Sequence, residues 1–226
     1  MFQDLRRTIS CRSQYRAEAR IGADSDNSWI RSSSSISGWL HLGEHEFLWE
    51  LATLPTRGDI LEIGSWCGNS TCILAGACLD RGDGSRVICV DTFQKDGNER
   101  QRGYYQRLPS GRRGTFDEFV SNADRLGFRS ALVPVAVRSD VVGSLLSGVR
   151  LRLAFIDGQH DYLGVKNDIA LSLPLMVTGG IIALHDVDAR YPGIAAAADE
   201  AVAESDRMRF VGRAHCLAAY RVGDVG

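Results

Sequence analysis

Two short motifs carry most of the chemistry open to this 226-residue chain. The first, Asp157-Gly158-Gln159-His160-Asp161-Tyr162, directly follows the apolar run Leu151–Ile156. The second, His185-Asp186, ends the run Ile181–Leu184. Adjacent strands lie about 4.8 Å apart, so groups at the carboxyl ends of two neighbouring strands can converge on one ligand. Asp157, His185 and Asp186 would then offer oxygen and nitrogen ligands to a metal. Carboxylates with few other ligands suit Mg2+, which keeps several waters and leaves room for substrate oxygens. Because Mg2+ prefers oxygen, His185 is balanced between a ligand and a structural hydrogen-bonding residue. Asp157 needs a partner, as does any acid that ends an otherwise apolar strand. His160 stands three residues on, open either to proton transfer or to a backbone hydrogen bond near a helix N-terminus.

A second constellation follows the apolar run Ile60–Ile63, in the loop Gly64-Ser65-Trp66-Cys67-Gly68-Asn69-Ser70. Gly64 lets the chain turn sharply, and Gly68 lets the next helix approach a ligand closely. The spacing is G-x-x-x-G, not the G-x-G-x-x-G of dinucleotide binders, and no lysine follows as a P-loop requires. A helix N-terminus alone favours a pyrophosphate. Glu62, two residues before Gly64, would repel one but suits the amino group and sulfonium of S-adenosylmethionine (SAM). Asp91, closing Val87–Val90, is placed to accept hydrogen bonds from both hydroxyls of a ribose. That acid fits NAD as well, so an NAD-dependent oxidoreductase stays open as a rival, as does a non-catalytic SAM-binding protein.

These residues need a frame. Strand-like runs at Ile60–Ile63, Val87–Val90, Ala131–Val135, Leu151–Ile156 and Ile181–Leu184 alternate with helical patterns near 69–80, 115–126, 139–147, 161–174 and 193–204. Short, continuously apolar strands in β-α alternation imply a parallel sheet covered on both faces. Met208–Val211 and Cys216–Val222 lie too close together for a crossover helix and predict an antiparallel hairpin at the sheet edge. The expected fold is therefore α/β, a Rossmann-like doubly wound seven-stranded sheet with a C-terminal antiparallel hairpin. Ahead of it, a helix from Leu42 or Glu44 puts Phe47, Leu48, Leu51 and Leu54 on one face. His41 and His45 would share a solvated face of it, and His215 the terminal hairpin. Residues 1–36 are polar, contain Ser32-Ser33-Ser34-Ser35, and read as a mobile lead-in to a domain spanning 37–226. A basic insertion at about 92–114 holds Lys95, Arg100, Arg102, Arg107, Arg112 and Arg113 around Tyr104 and Tyr105. It reads either as a solvated loop or as a lid that clasps an anionic acceptor.

Composition excludes several classes. A formal charge of -2 argues against a dedicated nucleic-acid binder. No apolar run reaches the ~20 residues needed to span a bilayer, and the charged N-terminus does not read as a signal peptide. The six cysteines show no framework spacing. The expected setting is the cytoplasm, and the expected partner a small-molecule acceptor, with homo-oligomerisation left open.

The string Leu61-Glu62-Ile63-Gly64-Ser65-Trp66-Cys67-Gly68-Asn69-Ser70-Thr71 resembles motif I of the metal-dependent O-methyltransferases, both the catechol type and the macrocin type that acts on natural-product sugars. The resemblance runs from about Ile36 to Val187. It implies a SAM pocket lined by Glu62, Ser65, Trp66, Ser70, Asp91 and Ser139, with Phe93 and Asp157 beside it and Ser37-Gly38-Trp39 over the methionine end. D-G-Q-H is similar to the D-G-x-H of the macrocin type, which implies Asp157 as metal ligand and His160 as catalytic base. Where this chain has His185, the metal-dependent relatives have an acid. The implied reaction, methylation of a hydroxyl, explains why both parts are useful. An alcohol lies roughly 9 pK units above a histidine, so full prior deprotonation would cost about 12 kcal/mol. Histidine must therefore act during methyl transfer, or a metal must first lower the oxygen's pKa.

Overall fold

A computed structural model describes residues 25–94 and 114–224. The lead-in up to residue 24 and most of the basic insertion lie outside the described residues. Seven strands form one sheet: β1 (Asp59–Ile63), β2 (Val87–Val90), β3 (Leu132–Val135), β4 (Leu151–Ile156), β5 (Met176–Leu184), β6 (Met208–Ala214) and β7 (Leu217–Val222). Their order is β3-β2-β1-β4-β5-β7-β6. The first five run parallel, and β7 is antiparallel to both β5 and β6. The hairpin is tighter than its sequence suggests. Ala214 pairs with Leu217, leaving His215 and Cys216 as a two-residue turn with His215 at φ 47°. Positive φ is what such a turn needs to match the twist of its strands.

The helices are α1 (Ser28–Ser33), α2 (Leu42–Thr53), α3 (Asn69–Arg81), α4 (Phe116–Leu126), α5 (Tyr162–Ser172) and α6 (Pro192–Glu204). Side chains alternate across the sheet, so each strand feeds two cores. Ile60, Val87, Cys89 and Phe155 join Leu48, Ile73 and Phe119 on one face; Leu61, Ile88, Val90 and Ile156 join Val165, Ile169 and Ile194 on the other. Winding runs outward from β1 to β2 and β3 on one side and through β4 to β5 on the other. The crevice for a ligand therefore falls at the carboxyl ends of β1 and β4.

Three expectations change. The stretch 139–147 forms two 3-10 turns, Ser139–Val141 and Gly143–Leu146, instead of an α-helix. They suffice to bury Val142 and Leu146 between Val137 and Val149. β5 begins at Met176, earlier than expected, and takes in Gly179 (φ 80°) beside an irregularity in its register with β4. The third concerns the described part of the lead-in, which packs on the domain. Asn27 caps α1, and Ile30, Ser33 and Ile36 are buried. The serine run satisfies itself locally, with the Ser33 and Ser34 hydroxyls donating to the Ile30 carbonyl. Hydroxyls placed to bond their own backbone stabilise a short turn.

α1 docks on α3 through one glycine. A Cβ at Gly76 would collide with the Trp29 ring, whose Nε1 donates to Asp80 Oδ1 at 3.0 Å. Gly76→Ala is thus a signed test. In a free helix the change gains roughly 0.5–1 kcal/mol. Against a docked Trp29 it is expected to cost about 1–3 kcal/mol in a denaturant melt.

Candidate active site

β1 delivers the glycine loop. Gly64 sits at φ 96°, and a side chain there would collide with the carbonyl of Asp157 at the end of β4. Gly68, at φ 92°, starts α3 against the ring of Phe119. Between them Trp66 holds φ 45°, and Phe93 and Asp186, on the other two loops of the site, hold 53° and 55°. Non-glycine residues in this region each cost of order 1–3 kcal/mol and persist only where surrounding structure over-determines them. Here the determinant is Asp91. Its Oδ2 accepts from the Trp66 amide at 2.8 Å and its Oδ1 from the Phe93 amide at 2.6 Å.

Glu62 has a different place from the one expected. It is fully buried beneath the loop and does not line the cavity. Its carboxylate accepts from the hydroxyls of Ser65 (2.7 Å), Ser70 (2.6 Å) and Thr71 (2.6 Å). Burial pushes the group up to about 7, against the pull of those hydroxyls. Glu62 therefore shapes the loop from behind. Phe93 also stays out of the cavity, packed on Phe116 and Phe119 at ring separations of 5.1 and 5.0 Å. Gly68 likewise lies behind it.

The cavity itself measures about 380 Å³, within the range of small-molecule sites. Gly64, Ser65, Trp66, Ser70, Asp91, Ser139, Asp157, His160, His185 and Asp186 all border it. Gly38, Trp39 and Leu40 close one side, with Trp39 stacked on Trp66 at 4.3 Å. Asn69 holds that strap down. Its Nδ2 donates to the Ser33 carbonyl at 2.8 Å, and its Oδ1 pairs with His45 Nε2 at 3.1 Å. His45 is thus buried, not solvated, because it faces α3 and not water. His41 stacks on His215 at 4.9 Å.

Acids and bases alternate across the mouth. His160 Nε2 lies 3.1 Å from Asp186 Oδ2 and 3.6 Å from Asp157 Oδ1. His185 Nδ1 lies 3.1 Å from Asp157 Oδ1, and its Nε2 3.3 Å from Glu44 Oε2. Glu44, on α2 and fully buried, also accepts from the backbone of His41 and Cys216. Burial would raise its carboxyl, but His185 and Cys216 bring it down to about 2. The same contest leaves Asp157 at about 2, with burial outweighed by the charge of His185 and the hydrogen bond of His160. Burial disfavours a charged His160, yet Asp157 and Asp186 raise it to about 9. His185 is pushed well above its ordinary value against its own burial, chiefly by Asp157.

These contacts bear on a metal. Both nitrogens of His185 are engaged by carboxylates, so neither offers a free lone pair to a cation. Ligand atoms within 4.8 Å of one another come together in three groups: the buried Glu44, His185 and Cys216; Asp186, Asp188 and Cys216; and, at the cavity, Asp157, His160 and Asp186. Two carboxylates and an imidazole open to the cavity fit a hard divalent cation with several of its own ligands retained. Arg190 competes for the same charge, with Nη2 at 3.2 Å from Asp186 Oδ1. Among the described residues no helix is long and apolar enough to cross a membrane.

A glycine loop over a buried acid, an acid at the end of β2 and a reversed β7 define the sheet of the SAM-dependent methyltransferases. Residues 61–187 match the model of a methyltransferase domain family, and the chain belongs to that family. Solved structures of similar fold include the O-methyltransferase NovP, at 13% identity over 95% of this chain and 98% of that one (TM-score 0.67). TomG, an O-methyltransferase of tomaymycin synthesis from Streptomyces achromogenes solved with SAM, is 14% identical over 96% of this chain and all of its own (TM-score 0.66). CalS11, a TDP-rhamnose 3'-O-methyltransferase of calicheamicin biosynthesis, is 18% identical over 98% of this chain and all of its own (TM-score 0.58). Family membership favours SAM over a dinucleotide.

Sequence reasoning missed Glu44, Cys216 and Asn69. Glu44 carries a faint signal, an acid three residues after His41 at a helix start, but the partner that makes it matter is 141 residues away. Glu62 gives a further test. A carboxyl whose folded pKa of about 7 exceeds its ordinary value of 4.5 binds extra protons when folded, so its contribution to stability falls as pH rises between those values. Glu62→Gln removes that loss. The ligand-free variant is expected to gain on the wild type by about 3 kcal/mol from about pH 5 to about pH 8 in denaturant melts.

Proposed function

We propose that this methyltransferase moves the methyl group of SAM to a hydroxyl of a small molecule such as a natural-product sugar or nucleotide sugar, with His160 as the general base. The observation that carries the reading is His160 Nε2 at the border of the cavity, between Asp157 and Asp186. Tyr191 flanks the imidazole, with ring centroids 4.7 Å apart, and limits its rotation. The sugar-directed reading draws on the D-G-Q-H resemblance and on CalS11, a TDP-rhamnose 3'-O-methyltransferase. The stacked Trp39 and Trp66 give the acceptor side an apolar wall and help exclude water.

In this reading Asp91 takes the ribose hydroxyls and the strap at Gly38–Leu40 covers the methionine end. Asp157 and Asp186 hold the Nε2 of His160 at the cavity, and an acceptor hydroxyl would take their place on that nitrogen. That nitrogen must shed its own proton before it can take another. Asp157 and Asp186 would also hold Mg2+, which when bound lowers the pKa of a coordinated hydroxyl. The protein's own part is to fix the two carboxylates, and the Glu44–His185 pair does this for Asp157. On this reading the enzyme works on a small-molecule acceptor in the cytoplasm, alone or as a homo-oligomer.

Two outcomes follow. With SAM and an acceptor alcohol, kcat/KM is expected to rise with pH until about 9 and then level, because the base works only when deprotonated. His160→Gln should lower kcat by about 10²–10⁴-fold and flatten that rise, while the Kd for S-adenosylhomocysteine stays within a few-fold. An unchanged rate would remove His160 from the mechanism. EDTA is expected to depress turnover and Mg2+ to restore it; a rate indifferent to both would leave the histidine acting without a metal.

A further inference from the structure

Behind the catalytic cluster lies a group that shares no residue with it. Glu44, His185 and Cys216 are at most 6% exposed, and they bring a carboxylate, an imidazole and a thiol within 4.8 Å of one another. A cysteine kept for packing sits among apolar groups. The Cys216 Sγ instead faces Glu44 Oε1 at 2.9 Å, Asp186 Oδ1 at 3.6 Å and His185 Nε2 at 3.7 Å. The backbone fixes it there, since the Cys216 amide donates to Glu44 Oε1 and its carbonyl accepts from the Val187 amide, each at 2.9 Å.

Thiolate, imidazole and carboxylate together suit zinc, where the oxygen-rich cluster at the cavity suits a harder ion. Zinc ligands at their usual bond lengths and tetrahedral angles stand roughly 3.3–3.6 Å apart. Here Glu44 Oε2 lies 3.3 Å from His185 Nε2, and Nε2 3.7 Å from Sγ. Oε1 faces the sulfur and Oε2 the imidazole, so Glu44 can bind through both oxygens and complete four donors. Zinc-bound histidines characteristically donate their other ring N–H to a carboxylate, and His185 Nδ1 stands 3.1 Å from Asp157 Oδ1. Nε2 becomes a ligand by releasing the proton it shares with Glu44, and Sγ by releasing its own; both protons pass to solvent. A dication replaces two protons, so the buried net charge does not change. His185 borders the cavity, which gives the ion a way in.

We propose that Glu44, His185 and Cys216 form a zinc site that pins α2, the end of β5 and the β6–β7 turn together. It does not rest on the methyl-transfer reading. The test is titration of the EDTA-stripped full-length protein with Co2+, followed by optical absorption. Bound to a thiolate, Co2+ gives an intense sulfur-to-metal charge-transfer band in the near ultraviolet. In the wild type that band is expected to saturate at about one Co2+ per chain, to vanish on adding Zn2+ and to survive an excess of Mg2+. Cys216→Ser is expected to abolish the band and to weaken Zn2+ binding roughly 100-fold or more. Absence of the band in folded wild type would overturn the proposal. So would a band that persists in Cys216→Ser, which would put the thiolate at another cysteine. Should the variant fail to fold, X-ray absorption of the zinc-loaded wild type decides: one sulfur at about 2.3 Å supports the site, and a shell without sulfur overturns it.

Discussion

The close approach of β4 to β1 at their carboxyl ends is the contact on which the site depends. The carbonyl of Asp157 occupies the volume that any side chain at position 64 would need. Only a glycine with φ near 96° allows it, and that conformation also turns the chain into the cofactor loop. One backbone contact thereby sets two things at once. It fixes where the cofactor loop begins, and it sets the first acid of the catalytic cluster beside it. The hydrogen bond from the Asp157 amide to the Ile63 carbonyl, 2.8 Å, locks the same junction from the other side.

Around that junction charge is arranged as an alternating chain: Glu44, His185, Asp157, His160, Asp186, Arg190. Each acid lies beside a cation and each histidine between acids, so Glu44, Asp157, His160 and His185 shift toward their charged forms despite burial. Removing one member of such a network strands the next, which makes its geometry stiff. The stiffness is useful because methyl transfer needs the acceptor oxygen in line with the donor, and misplacement by an ångström is expensive. The cost would fall on His160 as the proposed base. A histidine held so firmly by carboxylates is a poor proton acceptor until its proton leaves or its partners are otherwise engaged.

The loop is stabilised by a separate device. Glu62 gathers three hydroxyls from the first turn of α3 and the residue after Gly64, and does not border the cavity. An acid in motif I reads naturally as a ligand to a cationic cofactor. Its actual position shows that pattern reveals a residue's neighbourhood more reliably than its direction. The same lesson applies to His45 and the serine run. Both read as polar and exposed, and both turn inward because Asn69 and the Ile30 carbonyl offer partners that the local sequence does not display.

The sequence by itself determined the order of strands and helices, the reversed hairpin, and the gathering of Asp91, Asp157, His160, His185 and Asp186 at one sheet edge. Those follow from local periodicity and from the rule that ligands sit beyond the carboxyl ends of parallel strands, neither of which needs coordinates. Only the tertiary structure decided how those groups are divided. It committed His185 to Glu44 and Asp157, turned Glu62 beneath the loop, and tied the lead-in to the cavity through Asn69. Each of these depends on contacts between segments far apart in the chain. Hydrogen bonds and charges are settled by distance in space, and on that distance sequence separation is silent.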